Sequence, residues 1–180
     1  MNKNKNTQAF DNFFQLVVNA DFALVEEATV WYLEAQEVAE DVAELLNTTL
    51  EVGASVVSSF SPRERWSSNI TKALAFANGK PVLGLTNNLR MAQAAVKDNK
   101  GFDALNGQKT NAFARAISGD LDAVVIDVWM IRAAGLDASK GVNKTQYKEL
   151  SEAVVKVAKE FGLTPRTTQA LIWIIRKEMK

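Results

Sequence analysis

The spacing of the apolar residues constrains the fold of this chain more than any other feature, since they recur every three or four positions through most of the sequence. The segment FALVEEATVWYLEAQEVAEDVAELLN (22–47) shows this pattern with acidic residues between the apolar ones. Such a period places the apolar side chains on one face of an α-helix. The one strand-like run, AVVIDVW (123–129), has flanks that favour the start of a helix instead. The sequence therefore predicts an all-α fold of about eight or nine helices.

Residues that start and stop helices recur along the chain. Ser61 and Pro62 predict a helix start, with Ser61 as N-cap, and Thr164 and Pro165 predict another. Gly162 comes between the last two apolar-periodic segments, where it predicts the end of a helix. Because these signals follow one another at short intervals, the helices should be joined by short connections.

Length and composition set the domain organisation and exclude several kinds of chemistry. The 180 residues suit one domain. We expect a flexible polar N-terminus over residues 1–8 and a single helical domain over residues 9–180. The absence of Cys and His excludes thiolate metal sites, a cysteine nucleophile and a histidine base. Acid–base chemistry would fall to Asp, Glu, Lys or Tyr, and we expect no metal and no cofactor. No apolar run approaches the length of a membrane span, so we expect no membrane partner and a cytoplasmic location.

Charge is divided unevenly although the whole chain is neutral. Residues 1–60 carry two Lys and ten Asp or Glu, whereas residues 61–180 carry 19 Lys or Arg and 11 Asp or Glu. This division indicates a basic working portion suited to nucleic acid, with the acidic portion packed away from it. The alternative is that the charges simply solvate helix faces.

The stretch LNGQKTNAFARAISGDLDAVVIDVWM (105–130) combines two residues that could carry chemistry. Gly107 indicates a tight turn into a helix, and Lys109 falls in the first turn of that helix. A helix N-terminus presents unpaired N–H groups and is a natural seat for a phosphate. Asp127 follows 18 residues later, at the end of an apolar run. One helix and a reversing loop could bring Lys109 and Asp127 to the same cleft.

Each of these residues has a purely structural alternative. Asp127 could be only the N-cap of a helix over residues 128–134, which its residue type favours. Lys109 could be an ordinary surface charge. The aromatic residues could belong to the core rather than to a pocket.

The segments NGQKTNAF (106–113) and VVIDVWMIRAAG (124–135) resemble the helix-hairpin-helix DNA glycosylase superfamily, and most closely its oxoguanine DNA glycosylase branch. Small bacteriophage proteins of unassigned function also carry this pattern. The resemblance covers roughly residues 50–135, more loosely through VVSSFSPRERWSSNITKAL (56–74). The hairpin of the family usually has two glycines, whereas this chain has only Gly107. The iron–sulfur cluster of the endonuclease III branch cannot form without cysteine.

The resemblance implies two helical lobes with a cleft between them, the hairpin and catalytic segment spanning residues 102–135. It implies a glycosylase that excises a damaged or modified base, extruded from double-stranded DNA, inside a cell that could be a phage-infected host. Asp127 would stabilise the sugar cation, and Lys109 would be the Schiff-base nucleophile of an abasic-site lyase. The alternatives are a catalytically silent module that binds DNA or a host protein, and a transferase acting on a modified base. The candidate DNA contacts are Asn106, Gly107, Gln108, Thr110, Arg63 and Arg65, and the candidate base-pocket residues are Trp31, Tyr32, Phe60, Trp66 and Trp129.

Overall fold

A computed structural model describes residues 3–84 and 86–179, and these residues form α-helices joined by short loops and 3₁₀ turns, with no strand among them. The prediction of an all-α protein is therefore confirmed. The α-helices are α1 (Lys3–Val18), α2 (Phe22–Leu45), α3 (Leu50–Ser59), α4 (Trp66–Ala77), α5 (Thr86–Val96), α6 (Gln108–Ile117), α7 (Val128–Ala133), α8 (Lys144–Phe161) and α9 (Pro165–Glu178), and the 3₁₀ helices are Lys97–Asn99, Gly101–Ala104 and Ala138–Lys140.

The chain divides into two compact units. The first unit comprises the described residues up to Tyr32 together with those from Leu121 onward. The second unit comprises the described residues from Leu33 to Asp120. Helix α2 contributes its N-terminal part to the first unit and its C-terminal part to the second. Helix α1 begins inside the segment 1–8.

In the second unit, α3 is the central helix. Its residues from Val52 to Ser59 are all buried, and it packs against α4, α5 and α6. Gly53 allows α3 to approach α2 closely, because a Cβ atom at this position would collide with the backbone oxygen of Ala39. The loop that follows α3 and the start of α6 therefore both adjoin this buried helix.

In the first unit, α1 packs against α8 and α9, and α7 packs against α9. The side chains at its centre are fully buried and almost entirely apolar. Burial of each such side chain stabilises the fold by about 2 kcal/mol. The largest are Phe13, Met130, Leu150, Leu171 and Ile172.

Two predicted helix boundaries are confirmed and one is wrong. Thr164 caps α9 through the backbone N–H of Thr167, and Gly162 ends α8 in the left-handed conformation. The helix predicted to start after Ser61 begins instead at Trp66. Arg63 adopts a φ of 63°, which breaks the helical path, and the hydroxyl of Ser61 is bonded to the distant Lys109.

No helix among residues 3–84 and 86–179 combines the length and the apolar character that a membrane span requires.

Candidate functional site

A tight turn and a helix start position Lys109. Gly107 is the N-cap of α6 and has a φ of 96°. Residues that carry a side chain rarely adopt this backbone conformation. The Thr110 hydroxyl donates to the carbonyl oxygens of Asn106 and Gly107, at 2.7 and 3.1 Å, and closes the turn. The Ser58 hydroxyl donates to the Thr110 carbonyl oxygen at 2.7 Å. Lys109 is therefore the second residue of a helix whose start is fixed from both sides.

The Lys109 side chain is half-buried and makes specific contacts. Its Nζ donates to the Ser61 Oγ at 2.9 Å and lies 5.2 Å from the centroid of the Phe113 ring. The Phe113 ring in turn meets the edge of Trp66, with the ring centroids 6.2 Å apart. Lys109 is therefore partly covered by other side chains and is not fully exposed.

The loop after α3 carries two exposed arginines, Arg63 and Arg65. Between them, Glu64 accepts hydrogen bonds from Lys72 and from the Ser68 hydroxyl, and these two donors lower the pKa of the Glu64 carboxyl. The negative charge of Glu64 is thus engaged on the α4 side, while both arginine side chains face solvent. Asn106, Gly107 and Gln108 are also exposed, whereas Thr110 is buried.

Asp127 is fixed through both of its carboxylate oxygens. It is the N-cap of α7, and its Oδ1 accepts from the backbone N–H groups of Trp129 and Met130 at 2.9 and 3.1 Å. Its Oδ2 accepts from the indole Nε1 of Trp173 at 3.0 Å. The N-cap interpretation is therefore confirmed. Capping uses one oxygen, and the indole orients the other.

Two further aromatic residues of the first unit, Trp31 and Tyr32, continue from the Trp173 ring. The rings of Trp31 and Trp173 lie 5.7 Å apart and are tilted by 51°. The adjacent Tyr32 is buried, and its hydroxyl donates to the Gln169 Oε1 at 2.7 Å. Burial raises the pKa of Tyr32 far above its ordinary value, so this hydroxyl stays protonated and acts as a neutral donor.

The structure divides the predicted pocket residues between the two units. Trp31, Tyr32 and Trp129 belong to the first unit, and Trp129 lies under the guanidinium of Arg132 at 4.7 Å. The other two, Phe60 and Trp66, belong to the second unit. Phe60 is buried against Phe76, as expected for a core residue, while Trp66 is half-buried.

Tyr147 holds the extended run that leads to Asp127. Its hydroxyl donates to the Val124 carbonyl oxygen at 3.0 Å and accepts from the Ile126 N–H at 3.1 Å. Both backbone groups belong to buried residues without strand partners. A single side chain thus satisfies two polar groups that would otherwise be costly to bury.

We expect Tyr147→Phe to lower the free energy of unfolding by roughly 2 kcal/mol or more, because it leaves two buried backbone groups unsatisfied. The substitution should also change how the free energy of unfolding depends on pH in the alkaline range. Burial raises the pKa of Tyr147 from 10.0 to about 12, so its stabilising effect is complete below pH 10 and is lost as the pH rises toward 12. Urea unfolding between pH 7 and 11 should show a shallower alkaline decline in the variant. If the free energy of unfolding declined with pH in parallel for the parent and the variant, the assigned role of Tyr147 would be wrong.

The sequence did not predict two of the contacts that hold Lys109 and Asp127. Trp173 lies 46 residues from Asp127 and Ser61 lies 48 residues from Lys109, so neither contact belongs to a local motif. A weak signal existed for Trp173, because a half-buried indole N–H usually finds an acceptor. The sequence does not identify that acceptor.

Among the residues that the structure describes, no group of three or more acidic side chains could hold a metal ion. Lys109 and Asp127 stay the candidates for chemistry that the sequence predicts.

These features define an all-helical protein in which one amine and one carboxylate are each held in a fixed orientation. The chain belongs to DUF7178, a family of unknown function whose model matches residues 1–180. No curated protein matches the chain, and no solved structure does.

Proposed function

We propose that this protein is a DNA glycosylase that removes a damaged or modified base extruded from double-stranded DNA. The observation that carries the proposal is the orientation of Asp127 by three hydrogen-bond donors within the segment that resembles the catalytic segment of the helix-hairpin-helix glycosylases. The Trp173 indole bonds this carboxylate, and the Trp31 ring packs against Trp173. A fixed carboxylate at a half-buried position suits a reaction that develops positive charge.

Breaking an N-glycosidic bond leaves positive charge on the sugar as the base departs. A negative group that is already oriented stabilises this charge without having to reorganise during the reaction. The backbone N–H groups of residues 129 and 130 and the Trp173 indole supply this orientation for Asp127. In the proposal, Asp127 therefore acts on the transition state and not as a proton donor.

Lys109 is the nucleophile in the proposed lyase step. The lone pair of the neutral Nζ forms a bond to C1′ of the abasic sugar, the C1′ oxygen leaves as water, and an imine results. Loss of a C2′ proton then expels the 3′ phosphate and cleaves the strand. Lys109 belongs to the second unit and Asp127 to the first, and their action in one cleft between two lobes stays a prediction from the sequence.

Duplex DNA carrying a panel of oxidised, alkylated and deaminated bases tests the proposal directly. We expect release of at least one free base, detected by mass spectrometry, and a covalent adduct with abasic-site DNA after borohydride reduction. A parent protein that binds DNA yet releases no base and forms no adduct would favour the binding-module alternative. A base altered in place without release would favour the transferase.

We further expect the affinity for DNA to fall steeply as the salt concentration rises, because each neutralised phosphate releases counterions. Arg63→Gly should weaken binding and reduce the slope of log Kd against log salt by about one. The fold should tolerate this change, since glycine readily adopts the φ of 63° at this position. Fluorescence anisotropy at several salt concentrations measures the slope.

Asn47→Gly is the matched control for Arg63→Gly. Asn47 is also an exposed residue of the second unit with a positive φ, of 50°, but it carries no charge. Its replacement should relieve similar backbone strain and leave DNA binding unchanged. Equal effects of the two substitutions on affinity would show that the Arg63 charge does not contact phosphate.

A further inference from the structure

Ser61 is the residue that links the loop after α3 to the amine of Lys109. Its Oγ lies 2.9 Å from the Lys109 Nζ, although the two residues are 48 positions apart. The sequence marks Ser61 as a helix cap, but α4 begins five residues later and Ser61 caps no helix. Its hydroxyl contacts the proposed nucleophile instead.

The backbone around Ser61 holds the hydroxyl in place. The Ser61 N–H donates to the Ser58 carbonyl oxygen at 3.1 Å, and the Glu64 N–H donates to the Ser61 carbonyl oxygen at 3.3 Å. Pro62 restricts the loop further, because its ring fixes φ and limits the residue before it. The half-buried Ser61 is thus part of a preformed turn.

Two neighbours of the Lys109 Nζ, a hydroxyl and an aromatic ring, can each interact with its charged form. A hydroxyl oxygen accepts a hydrogen bond from an ammonium group, and the face of an aromatic ring attracts a cation. Ser61 supplies the oxygen, and the Phe113 ring centroid lies 5.2 Å away. The hydroxyl can also donate to the neutral amine, so it can keep its contact with Nζ after the proton has left.

We propose that Ser61 is the positioning residue of Lys109: its hydroxyl fixes the place of the amine and bonds the charged form, which must lose a proton before the amine can attack. The use of that amine against a sugar aldehyde rests on the proposed function. The contact between Ser61 and Lys109 does not, and it is therefore testable without DNA.

The first measurement is the rate at which acetic anhydride labels each lysine between pH 6 and 11, resolved by mass spectrometry. With Ser61→Ala, we expect the pH of half-maximal Lys109 labelling to fall by about half a unit, a roughly threefold gain in labelling below that pH. Ser61→Thr keeps the hydroxyl and should restore the parent profile. The exposed Lys148 on α8 should label identically in every variant.

The second measurement is borohydride trapping on abasic-site DNA, where Ser61→Ala should act in the opposite direction. We expect trapping to fall about tenfold, because a loosely held amine spends less time in the attacking geometry. DNA affinity should stay within twofold of the parent. A residue with a merely structural role would not raise reactivity toward a small reagent while lowering it toward DNA.

Superimposable labelling profiles for the parent and Ser61→Ala would overturn the assignment of Ser61. A shifted profile in a protein that traps no DNA would leave that assignment standing and remove the proposed lyase function. Should Ser61→Ala not fold, Ser61→Cys provides the same test, because it keeps the size of the side chain and replaces the hydroxyl with a thiol, which is a weak hydrogen-bond acceptor. A Ser61→Cys labelling profile that superimposes on the parent profile would then overturn the assignment.

Discussion

Asp127→Asn is expected to slow base release by at least about 10²-fold while DNA binding persists. An oriented charge that stabilises the transition state by about 3 kcal/mol accounts for a factor of this size. Asparagine keeps the shape of the side chain and removes the charge. Binding should survive or tighten, because a negative group close to the phosphates has been lost. Single-turnover base release and DNA affinity, measured on the same preparation, test both statements.

Measuring the free energy of unfolding of Asp127→Asn separates the role of Asp127 as a helix cap from its proposed role in the reaction. Asparagine caps a helix about as well as aspartate, so the hydrogen bonds from Trp129 and Met130 should persist. The amide NH₂ group would then face the Trp173 indole N–H, and two donors would oppose each other. We therefore expect a loss of about 1 kcal/mol in the free energy of unfolding. A loss of this size cannot explain a 10²-fold loss of activity in a folded protein.

Trp173→Phe supplies the matched control. It removes the indole donor while keeping an aromatic ring, and in combination with Asp127→Asn it removes the opposed donors. The double variant should be no less stable than Asp127→Asn alone, and equally inactive. If Asp127→Asn releases the base as fast as the parent, the proposed role of Asp127 is wrong.

The sequence predicted those parts of the fold that depend on neighbouring residues. Thr164 and Gly162 act within one turn of their own positions, and both predictions are confirmed. Asp127 caps α7 through residues two and three positions ahead, which the pattern also indicated. Local geometry alone sets these features, so the sequence suffices to find them.

The helix start predicted at Ser61 is wrong, because tertiary contacts determine the conformation of this loop. Ser61, Pro62 and Glu64 have the composition of a helix start, but the left-handed backbone of Arg63 prevents one. The Glu64 side chain bonds Lys72 and Ser68 inside α4, and the Ser61 hydroxyl bonds Lys109 on α6. Contacts with residues up to 48 positions away thus outweigh a local preference of about 1 kcal/mol.

Two candidates for chemistry could be predicted from the sequence, but the residues that hold them could not. Burying an acidic residue within an apolar run costs free energy, and a lysine at a helix start faces the positive end of the helix dipole. Both residues are therefore conspicuous in a sequence. A serine or a tryptophan at an ordinary position does not. Packing alone brings Ser61 to Lys109 and Trp173 to Asp127. Residues that orient a reactive group are therefore the part of such a site least visible in a single sequence.

Lys109→Gln should abolish borohydride trapping on abasic-site DNA, because the substituted side chain has no amine to form the imine. Lys109→Arg distinguishes the nucleophile from the charge. Arginine keeps a cation and a donor within reach of Ser61, yet it stays protonated and cannot attack a carbonyl carbon. We expect both variants to lose the adduct, while only Lys109→Gln weakens DNA binding and lowers the salt slope by about one.

Base release should respond differently from trapping. If water can replace the amine as nucleophile, Lys109→Arg retains base release while losing the adduct and strand cleavage, which would make excision depend on Asp127 alone. If base release also falls by orders of magnitude, Lys109 attacks the sugar during excision itself. An undiminished adduct in both variants would assign the imine to another amine, which peptide mapping of the reduced product would locate. Chemistry at Lys109 would then be excluded, and its contacts with Ser61 and Phe113 would serve only to pack the start of α6.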